Sequence, residues 1–232
     1  MDVRQAKEFT VARLRTGFNL MEFILRPTDW TSVIRPELPF GSLANEAFVR
    51  DLNESKTYLE FGSGSSTLAA SVSATSRVVS VESDLRFMNA VRTQVEGVQN
   101  VQSKFDFLHV DIGLTGPWGV PVFKSQFWRM RRLWPNYSEA PWNEVGPEFR
   151  ADFVLVDGRF RVACALAVCI HQADYEWKML VDDFIDRPEY FPIKEFADLV
   201  EMRGRMAVFA PSSRLDLKTA AAALRHFQLD WR

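Results

Sequence analysis

Short apolar runs alternate with amphipathic segments of helical spacing along most of the chain. The runs are predicted to be strands, and the segments between them, such as 84–95 and 161–170, are predicted to be helices. Alternating strands and helices are typical of βαβ units, so the pattern predicts an α/β fold with a doubly wound, mostly parallel sheet. The predicted strands are 56–61, 77–82, 105–112, 152–158 and 178–184.

The two ends of the chain depart from this alternation. Near the C-terminus, two β-like runs about a glycine predict an antiparallel hairpin over 198–210 that ends the sheet. At the other end, residues 1–55 are predicted to form a helical extension before a main domain of residues 56–232. The amphipathic pattern of residues 3–24 favours a packing helix or a homodimer contact over binding to a membrane surface.

Residues 112–150 interrupt the alternation between the third and fourth predicted strands. The segment contains four of the seven tryptophans of the chain, which are Trp118, Trp128, Trp134 and Trp142. A long insertion inside a compact α/β domain is more often functional than idle, and aromatic walls suit a small ligand. We therefore favour a lid or a pocket for a small substrate, and the alternative is a satellite core or a subunit contact.

The composition is that of an ordinary globular protein. Of 232 residues, 47% are hydrophobic and 25% are charged, with a formal net charge of -2. Such a charge gives no overall attraction to nucleic acid, and no apolar run approaches the roughly 20 residues needed to span a bilayer. Cys164 and Cys169 lie in one apolar segment, and no secretory signal precedes them, so we expect free thiols and a cytoplasmic location.

Candidate chemistry begins with "EFGSGSST", residues 60–67, where the first predicted strand turns into a helix. Ligands of parallel α/β sheets bind beyond the carboxyl ends of the strands, and Gly62 and Gly64 let a ligand approach the backbone closely. The helix predicted to start near Ser66 directs its free N–H groups to the same place. A dinucleotide motif requires a third glycine, where this chain has Thr67.

Acids at the ends of three successive strands help to choose the ligand. Glu60 lies before the first glycine, where a carboxylate repels a pyrophosphate but accepts an ammonium group. Glu82 follows about 20 residues later, at the spacing at which an acid binds a ribose diol. Asp111 ends the third predicted strand, within reach of an adenine amino group. An ammonium group, a ribose and an adenine together describe S-adenosylmethionine.

With these residues, the chain resembles the class I S-adenosylmethionine-dependent methyltransferases. The matching motifs are "EFGSGSST", "VVSVES", "HVDI" and "FVLVDG", within residues 56–210. The resemblance implies a Rossmann-like fold with seven strands and S-adenosylmethionine as the cofactor. Members often have a third glycine two residues after the second, where this chain has Ser66. The predicted cofactor-binding residues are Glu60, Gly62, Ser63, Gly64, Ser66, Thr67, Glu82, Ser83, Asp111, Ile112 and Asp157.

The fourth and fifth predicted strands also end in acids, Asp157 and the pair Asp182 and Asp183. Carboxylates at adjoining strand ends form an all-oxygen site that suits Mg²⁺ or a similar cation. In this respect the chain resembles the catechol- and caffeoyl-type O-methyltransferases, and the resemblance implies a metal that lowers the pKa of the acceptor hydroxyl. The predicted metal ligands are Asp157, Asp182 and Asp183.

This chain also departs from that pattern, because its pair is Asp-Asp rather than Asp-Asn and it lacks a lysine in the catalytic-base region. The alternative is that the acids pair with arginines, Asp183 with Arg187 and Asp182 with Arg159 or Arg161. Without a metal, Asp157 is predicted either to act alone as the base or to contact the substrate-side edge of the cofactor. The predicted catalytic residues are Asp157, Arg159 and Asp182.

These observations predict O-methylation of a small molecule or glycan. No Asn-Pro-Pro-Tyr or Asp-Pro-Pro-Tyr motif follows the fourth strand, which argues against amino methylation of nucleic acid bases. One alternative is a nicotinamide-dependent oxidoreductase, which Glu60 and Thr67 disfavour. Another is a binding module that keeps the methyltransferase fold without catalysis.

Overall fold

A single sheet of seven strands organises the fold. The computed structural model describes residues 34–123 and 130–232. The strands are β1 (Thr57–Phe61), β2 (Arg77–Glu82), β3 (Lys104–His109), β4 (Phe153–Val156), β5 (Lys178–Val181), β6 (Ala197–Arg203) and β7 (Met206–Pro211). Their order across the sheet is β3-β2-β1-β4-β5-β7-β6. The first five strands are parallel, and β7 runs antiparallel between β5 and β6, which confirms the predicted sheet and its terminal hairpin.

Helices connect the parallel strands, as the alternating pattern predicts. Two described helices, one of them after the last strand, begin at acids, since the side chains of Asp84 and Asp216 accept backbone N–H groups of the first turn. The described α-helices are α1 (Ser42–Glu54), α2 (Ser65–Ser71), α3 (Leu85–Glu96), α4 (Met130–Leu133), α5 (Pro135–Ala140), α6 (Arg161–His171) and α7 (Leu217–Phe227). A π-helical turn, Pro141–Val145, continues α5, and 3₁₀ segments cover Pro117–Gly119 and Pro188–Glu195.

Apolar side chains cover both faces of the sheet. On one face, Phe48 of α1 packs against Tyr58 and Phe153, with ring centroids 6.0 and 5.4 Å apart. On the other face lies α6, whose first nine residues, 161–169, are all buried. The central strand β4 is buried at every position, which is what its continuous apolar run predicts.

The helical part of the aromatic insertion belongs to the main core. Trp134 is fully buried and its indole N–H donates to the Ile112 carbonyl at 3.0 Å. Trp142 is also buried and stacks on the His171 ring at 4.2 Å between centroids. These tryptophans therefore pack as the core alternative predicts, whereas Trp118 is 73% exposed.

Some predictions fall on parts of the chain outside the described residues. The amphipathic helices predicted within residues 3–24, and most of the extension predicted over 1–55, lie there, as does Trp128. The described part of that extension includes α1, which packs on the sheet. No helix within residues 34–123 and 130–232 is long and apolar enough to cross a membrane.

Candidate cofactor and catalytic site

Two glycine turns meet at the carboxyl ends of the central strands. Gly62 follows β1 with a φ of 99°, and its N–H donates to the Val81 carbonyl of β2 at 2.8 Å. A β-carbon on Gly62 would lie 2.8 Å from the Cα of Gly158, which follows β4. A β-carbon on Gly158 would lie 2.3 Å from the Tyr137 hydroxyl. Both turns therefore require glycine, and they keep the backbone open at this edge of the sheet.

Beneath this edge, the Glu60 carboxylate accepts hydrogen bonds from four hydroxyl groups. Oε2 accepts from Tyr58 at 3.0 Å and from Ser66 at 2.6 Å. Oε1 accepts from Ser80 at 2.6 Å and from Thr67. Burial raises the pKa of the Glu60 carboxyl, and the four hydroxyl donors oppose that rise.

We call the surface formed by the Gly62 turn, Glu82 and Asp157 the cleft. Glu60 has no exposed surface, so it lies below this cleft and does not form part of its wall. An ammonium group could bond to it only by displacing a hydroxyl. The carboxylate instead connects β1 and β2 to the start of α2, where Thr67 also accepts the Gly64 N–H at 2.9 Å. The ammonium-binding role of Glu60 stays a prediction.

Glu82 ends β2 beside the first glycine turn and is held by backbone amides. Its Oε1 accepts the N–H groups of Ser83 at 2.6 Å and Asp84 at 2.9 Å. Its Oε2 accepts the N–H of Ser63 at 3.2 Å, and no other donor in the described part of the chain bonds to that oxygen. Burial raises the pKa of Glu82, and these N–H donors oppose the rise. Oε2 thus retains acceptor capacity for a hydroxyl group.

A tight hairpin, residues 114–122, lies over Glu82. Backbone hydrogen bonds close it, from Gly116 N–H to the Val120 carbonyl at 2.7 Å and from Val122 N–H to the Leu114 carbonyl at 2.9 Å. At its tip, Gly119 has a φ of 66°.

The hairpin tip approaches residues that follow β2 and β4. A β-carbon on Gly119 would lie 2.8 Å from the Ser83 hydroxyl oxygen, 3.8 Å from Glu82 Oε1 and 3.7 Å from Arg159 Cγ. The tip therefore covers the cleft between the ends of these two strands.

The remaining predicted cofactor residues follow β3, which ends at His109 rather than at residue 112. Asp111 consequently lies in the loop beyond the strand, exposed, and accepts the Gly113 N–H at 2.8 Å. Ile112 beside it is fully buried. Asp111 is therefore available to a ligand, and Ile112 is not.

Beyond β4 and β5, three carboxylates surround two guanidinium groups. Asp157 Oδ1 accepts from Arg161 Nη2 at 2.9 Å. Asp182 accepts two parallel hydrogen bonds from Arg205, at 2.7 and 2.6 Å. Asp183 lies 3.6 Å from Arg161 Nη1 and 3.4 Å from Arg205 Nε. We call these five residues the carboxylate–arginine cluster.

The cluster does not fit the predicted metal site. Both oxygens of Asp182 are bonded to Arg205, and the residue is 1% exposed. Within the described residues, no group of three or more His, Cys, Asp or Glu side chains is arranged to bind a metal ion. The physical reason is that guanidinium groups already bind both oxygens of Asp182 and one oxygen of Asp157, and lie within ion-pair distance of Asp183. The acids do pair with arginines, as the alternative predicts, but the predicted partners are wrong. The Asp182 carboxylate binds Arg205 rather than Arg159 or Arg161, and Asp183 lies near Arg161 and Arg205 rather than Arg187.

Asp183, whose side chain is 35% exposed, and Asp157 are the acids of this cluster that can also face a ligand. Asp157 lies directly beside the Gly62 turn. Its side chain is 32% exposed, and no described donor bonds to its Oδ2. Burial raises its pKa to about 7, the Arg161 guanidinium opposes the rise, and the negative charges of Asp182 and Asp183 add to it.

The other two residues predicted to be catalytic have different surroundings. Arg159 is partly buried, and its Nε is buried without a hydrogen-bond partner among the described residues. Burial and the neighbouring charge of Arg161 lower the pKa of Arg159. Asp182 holds Arg205 at the end of β5 and does not line the cleft.

Glu82, Gly62 and Asp157 are therefore brought to one cleft, with Glu60 below it. Sequence reasoning missed Arg205, Gly119 and Tyr137 at this site. Tyr137 lies in the aromatic insertion, which was the sequence signal that could have identified it. No sequence signal pointed to Arg205, because it follows β6 whereas the acids that it meets follow β5.

Comparison with solved structures identifies the family. A methyltransferase-like protein from Silicibacter pomeroyi DSS-3 superposes with a TM-score of 0.74 and 32% identity, over 84% of this chain and 98% of that one. The chain belongs to the family of class I S-adenosylmethionine-dependent methyltransferases. The predicted resemblance is thereby confirmed.

More distant structures also match over most of the chain. They include the O-methyltransferase from Bacillus cereus in complex with SAH (12% identity, TM-score 0.45, 92% of each chain). A putative caffeoyl-CoA O-methyltransferase from Staphylococcus aureus shares 11% identity, with a TM-score of 0.46, over 90% of this chain and 100% of that one. Likeness this low supports no conclusion about activity. No protein-family model and no curated protein matches the chain.

Proposed function

We propose that this protein transfers the methyl group of S-adenosylmethionine to an oxygen of a small molecule or glycan. The observation that carries the proposal is the pair of carboxylates on either side of the Gly62 turn. Glu82 has acceptor capacity at Oε2, and Asp157 has a partly exposed side chain with its Oδ2 unbonded. Glu82 suits the ribose of the cofactor, and Asp157 suits the hydroxyl group of the acceptor.

The residues of the cleft fit an adenosine group. Glu82 Oε2 accepts a ribose hydroxyl, while its amide partners keep the carboxylate in place. The exposed Asp111 carboxylate accepts the adenine amino group. The glycines of the first turn admit the ligand close to the backbone, since a side chain at Gly62 would collide with the turn after β4.

Asp157 supplies the base. The bound cofactor supplies an electrophilic methyl group on a sulfonium. With S-adenosylmethionine bound, Asp157 Oδ2 would take the proton of the acceptor hydroxyl as the acceptor oxygen receives that methyl group, with S-adenosylhomocysteine as the leaving product. Arg159, beside Asp157 in the cleft, orients the acceptor.

Cofactor binding is the first test. We expect S-adenosylhomocysteine to bind in isothermal titration calorimetry, and Glu82→Ala to weaken binding by roughly 10-fold or more because it removes a charged hydrogen-bond acceptor. Glu96→Ala, an exposed change at the end of α3, is the control. No binding by the wild type would overturn the proposal, and NADH binding instead, seen by fluorescence, would favour the oxidoreductase alternative.

The pH profile tests the base. Because the pKa of Asp157 is raised to about 7, turnover should rise with pH through that value as the carboxylate loses its proton. Asp157→Asn should lower kcat by roughly 10² to 10⁴-fold. The exposed Asp174→Asn is the matched control. The acceptor comes from a screen that detects S-adenosylhomocysteine, and an Asp157→Asn enzyme with unchanged kcat and profile contradicts the assignment.

A further inference from the structure

The charges of the carboxylate–arginine cluster are nearly balanced without any ion. Three carboxylates come from the ends of β4 and β5, and two guanidinium groups lie among them. One net negative charge remains, which is the balance that a divalent cation among three carboxylates would leave. The two arginines thus supply the charge that a cation would otherwise supply.

Arg161 has its donors committed to the strand ends. Its Nε donates to the Gly158 carbonyl at 3.1 Å and its Nη1 to the Asp182 carbonyl at 2.5 Å. Its Nη2 donates to both the carbonyl and the carboxylate of Asp157, at 3.0 and 2.9 Å. The side chain is 4% exposed, and the Tyr190 ring lies 5.5 Å from its guanidinium carbon. Arg161 therefore joins the ends of β4 and β5 and has little donor capacity for a ligand.

Arg205 binds the cluster from the hairpin of β6 and β7, whereas Arg161 binds it from the start of α6. Arg205 lies in the turn between β6 and β7, and its two parallel hydrogen bonds with Asp182 have the planar geometry that fixes a carboxylate most firmly. Its backbone carbonyl also accepts the Ile185 N–H at 3.3 Å. The antiparallel hairpin of the sheet is thereby tied to the end of β5.

We propose that Arg161 and Arg205 are positioning residues that hold the three carboxylates in place of a divalent cation, so that acceptor activation in this protein uses Asp157 without a metal ion. The clause on acceptor activation rests on the proposed methyl transfer. The positioning role rests on the cluster alone. Its chemical consequence is that no cation is present to share the acceptor oxygen, and the hydroxyl proton passes to Asp157 Oδ2, to which neither arginine is hydrogen-bonded.

Metal binding tests the cluster directly. We expect the wild-type protein to show no stoichiometric Mn²⁺ binding by electron paramagnetic resonance at up to about 1 mM of the ion, the range in which weak carboxylate sites fill. Its affinity for S-adenosylhomocysteine should be the same in EDTA and in Mg²⁺. One Mn²⁺ bound per chain and displaced by Mg²⁺ would overturn the proposal.

Removing a guanidinium group should create the Mn²⁺-binding site that the wild-type protein lacks. In Arg205→Gln, the Asp182 carboxylate loses its guanidinium partner and Asp183 loses one of its two, and we expect Mn²⁺ binding to appear. Arg205→Lys keeps the positive charge and should not bind the ion. The double variant Arg161→Gln with Arg205→Gln should bind more tightly than the single one. A folded Arg205→Gln protein, verified by circular dichroism, that binds no more Mn²⁺ than Arg205→Lys contradicts the proposal.

Activity measurements then distinguish the proposed methyl transfer from the proposed metal-free activation of the acceptor. Once an acceptor is found, EDTA should leave kcat unchanged, and Arg205→Lys should recover much of the kcat that Arg205→Gln loses. Loss of kcat on chelation overturns the metal-free assignment while leaving methyl transfer intact. Failure of the wild type to bind S-adenosylhomocysteine sinks the proposed function, while the Mn²⁺ results still decide the role of the arginines.

Discussion

At the scale of single residues, Glu60 shows that an acid at a motif position can be fully enclosed by hydroxyl groups of its own fold. The acid before the first glycine was predicted to face the ligand. In the structure it is enclosed by the hydroxyls of Tyr58, Ser66, Thr67 and Ser80. A buried charge is costly unless it is hydrogen-bonded, so these hydroxyls are needed to keep it there. The carboxylate shapes the first turn from below.

The raised pKa of Glu60 has a consequence for stability. The folded protein holds the Glu60 proton more tightly than the unfolded chain does, so its contribution to stability is full below the unfolded pKa and is lost as pH rises through the raised folded pKa. Glu60→Gln removes this titration. The free energy of unfolding should therefore fall less steeply with rising pH, from about 4.5 upward, in this variant than in the wild type.

Urea unfolding at a series of pH values measures the effect. The exposed Glu54→Gln is the control, and its pH dependence should match that of the wild type. Parallel curves for wild type and Glu60→Gln would contradict the prediction.

At the scale of elements, the aromatic insertion divides into parts with different surroundings. The hairpin of residues 114–122 lies over Glu82 and exposes Trp118. The helical part, residues 130–145, buries Trp134 and Trp142 against α6. Aromatic content alone could not separate them, because a lid and a core use the same side chains. The difference is long-range, since it depends on which surface of the sheet each part reaches.

Matched tryptophan substitutions test this division. Trp134→Ala should lower the free energy of unfolding by about 3–5 kcal/mol, because it empties a fully buried site and leaves the Ile112 carbonyl without its donor. Trp118→Ala should change it by less than about 0.5 kcal/mol, since that side chain is 73% exposed. Urea denaturation measures both, and similar losses in the two variants would refute the division.

At the scale of the whole molecule, the sequence predicted the sheet and most of the cleft but not the carboxylate–arginine cluster. Glu82 and Asp157 were predictable because each ends a strand with a clear apolar run, and parallel strands end at the same edge. The pairing of Asp182 with Arg205 was not, because it depends on β7 lying antiparallel beside β5. The terminal hairpin was predicted, yet its turn gave no sign of which strand end it would meet. Acidic spacing therefore indicated a metal site that the rest of the fold does not form.

The contact among Gly62, Gly158 and Tyr137 limits how this chain can vary. The three residues come from the first turn, the fourth turn and the insertion, and no side chain fits where the two glycines meet beneath the tyrosine hydroxyl. A chimera that takes one of these segments from a relative inherits only part of the contact. Successful recombinants should therefore exchange the segments together. A smaller residue in place of the tyrosine should not by itself admit a side chain at position 158, because a β-carbon there would also lie 2.9 Å from the backbone nitrogen of Gly62 and from the carbonyl carbon of Phe61.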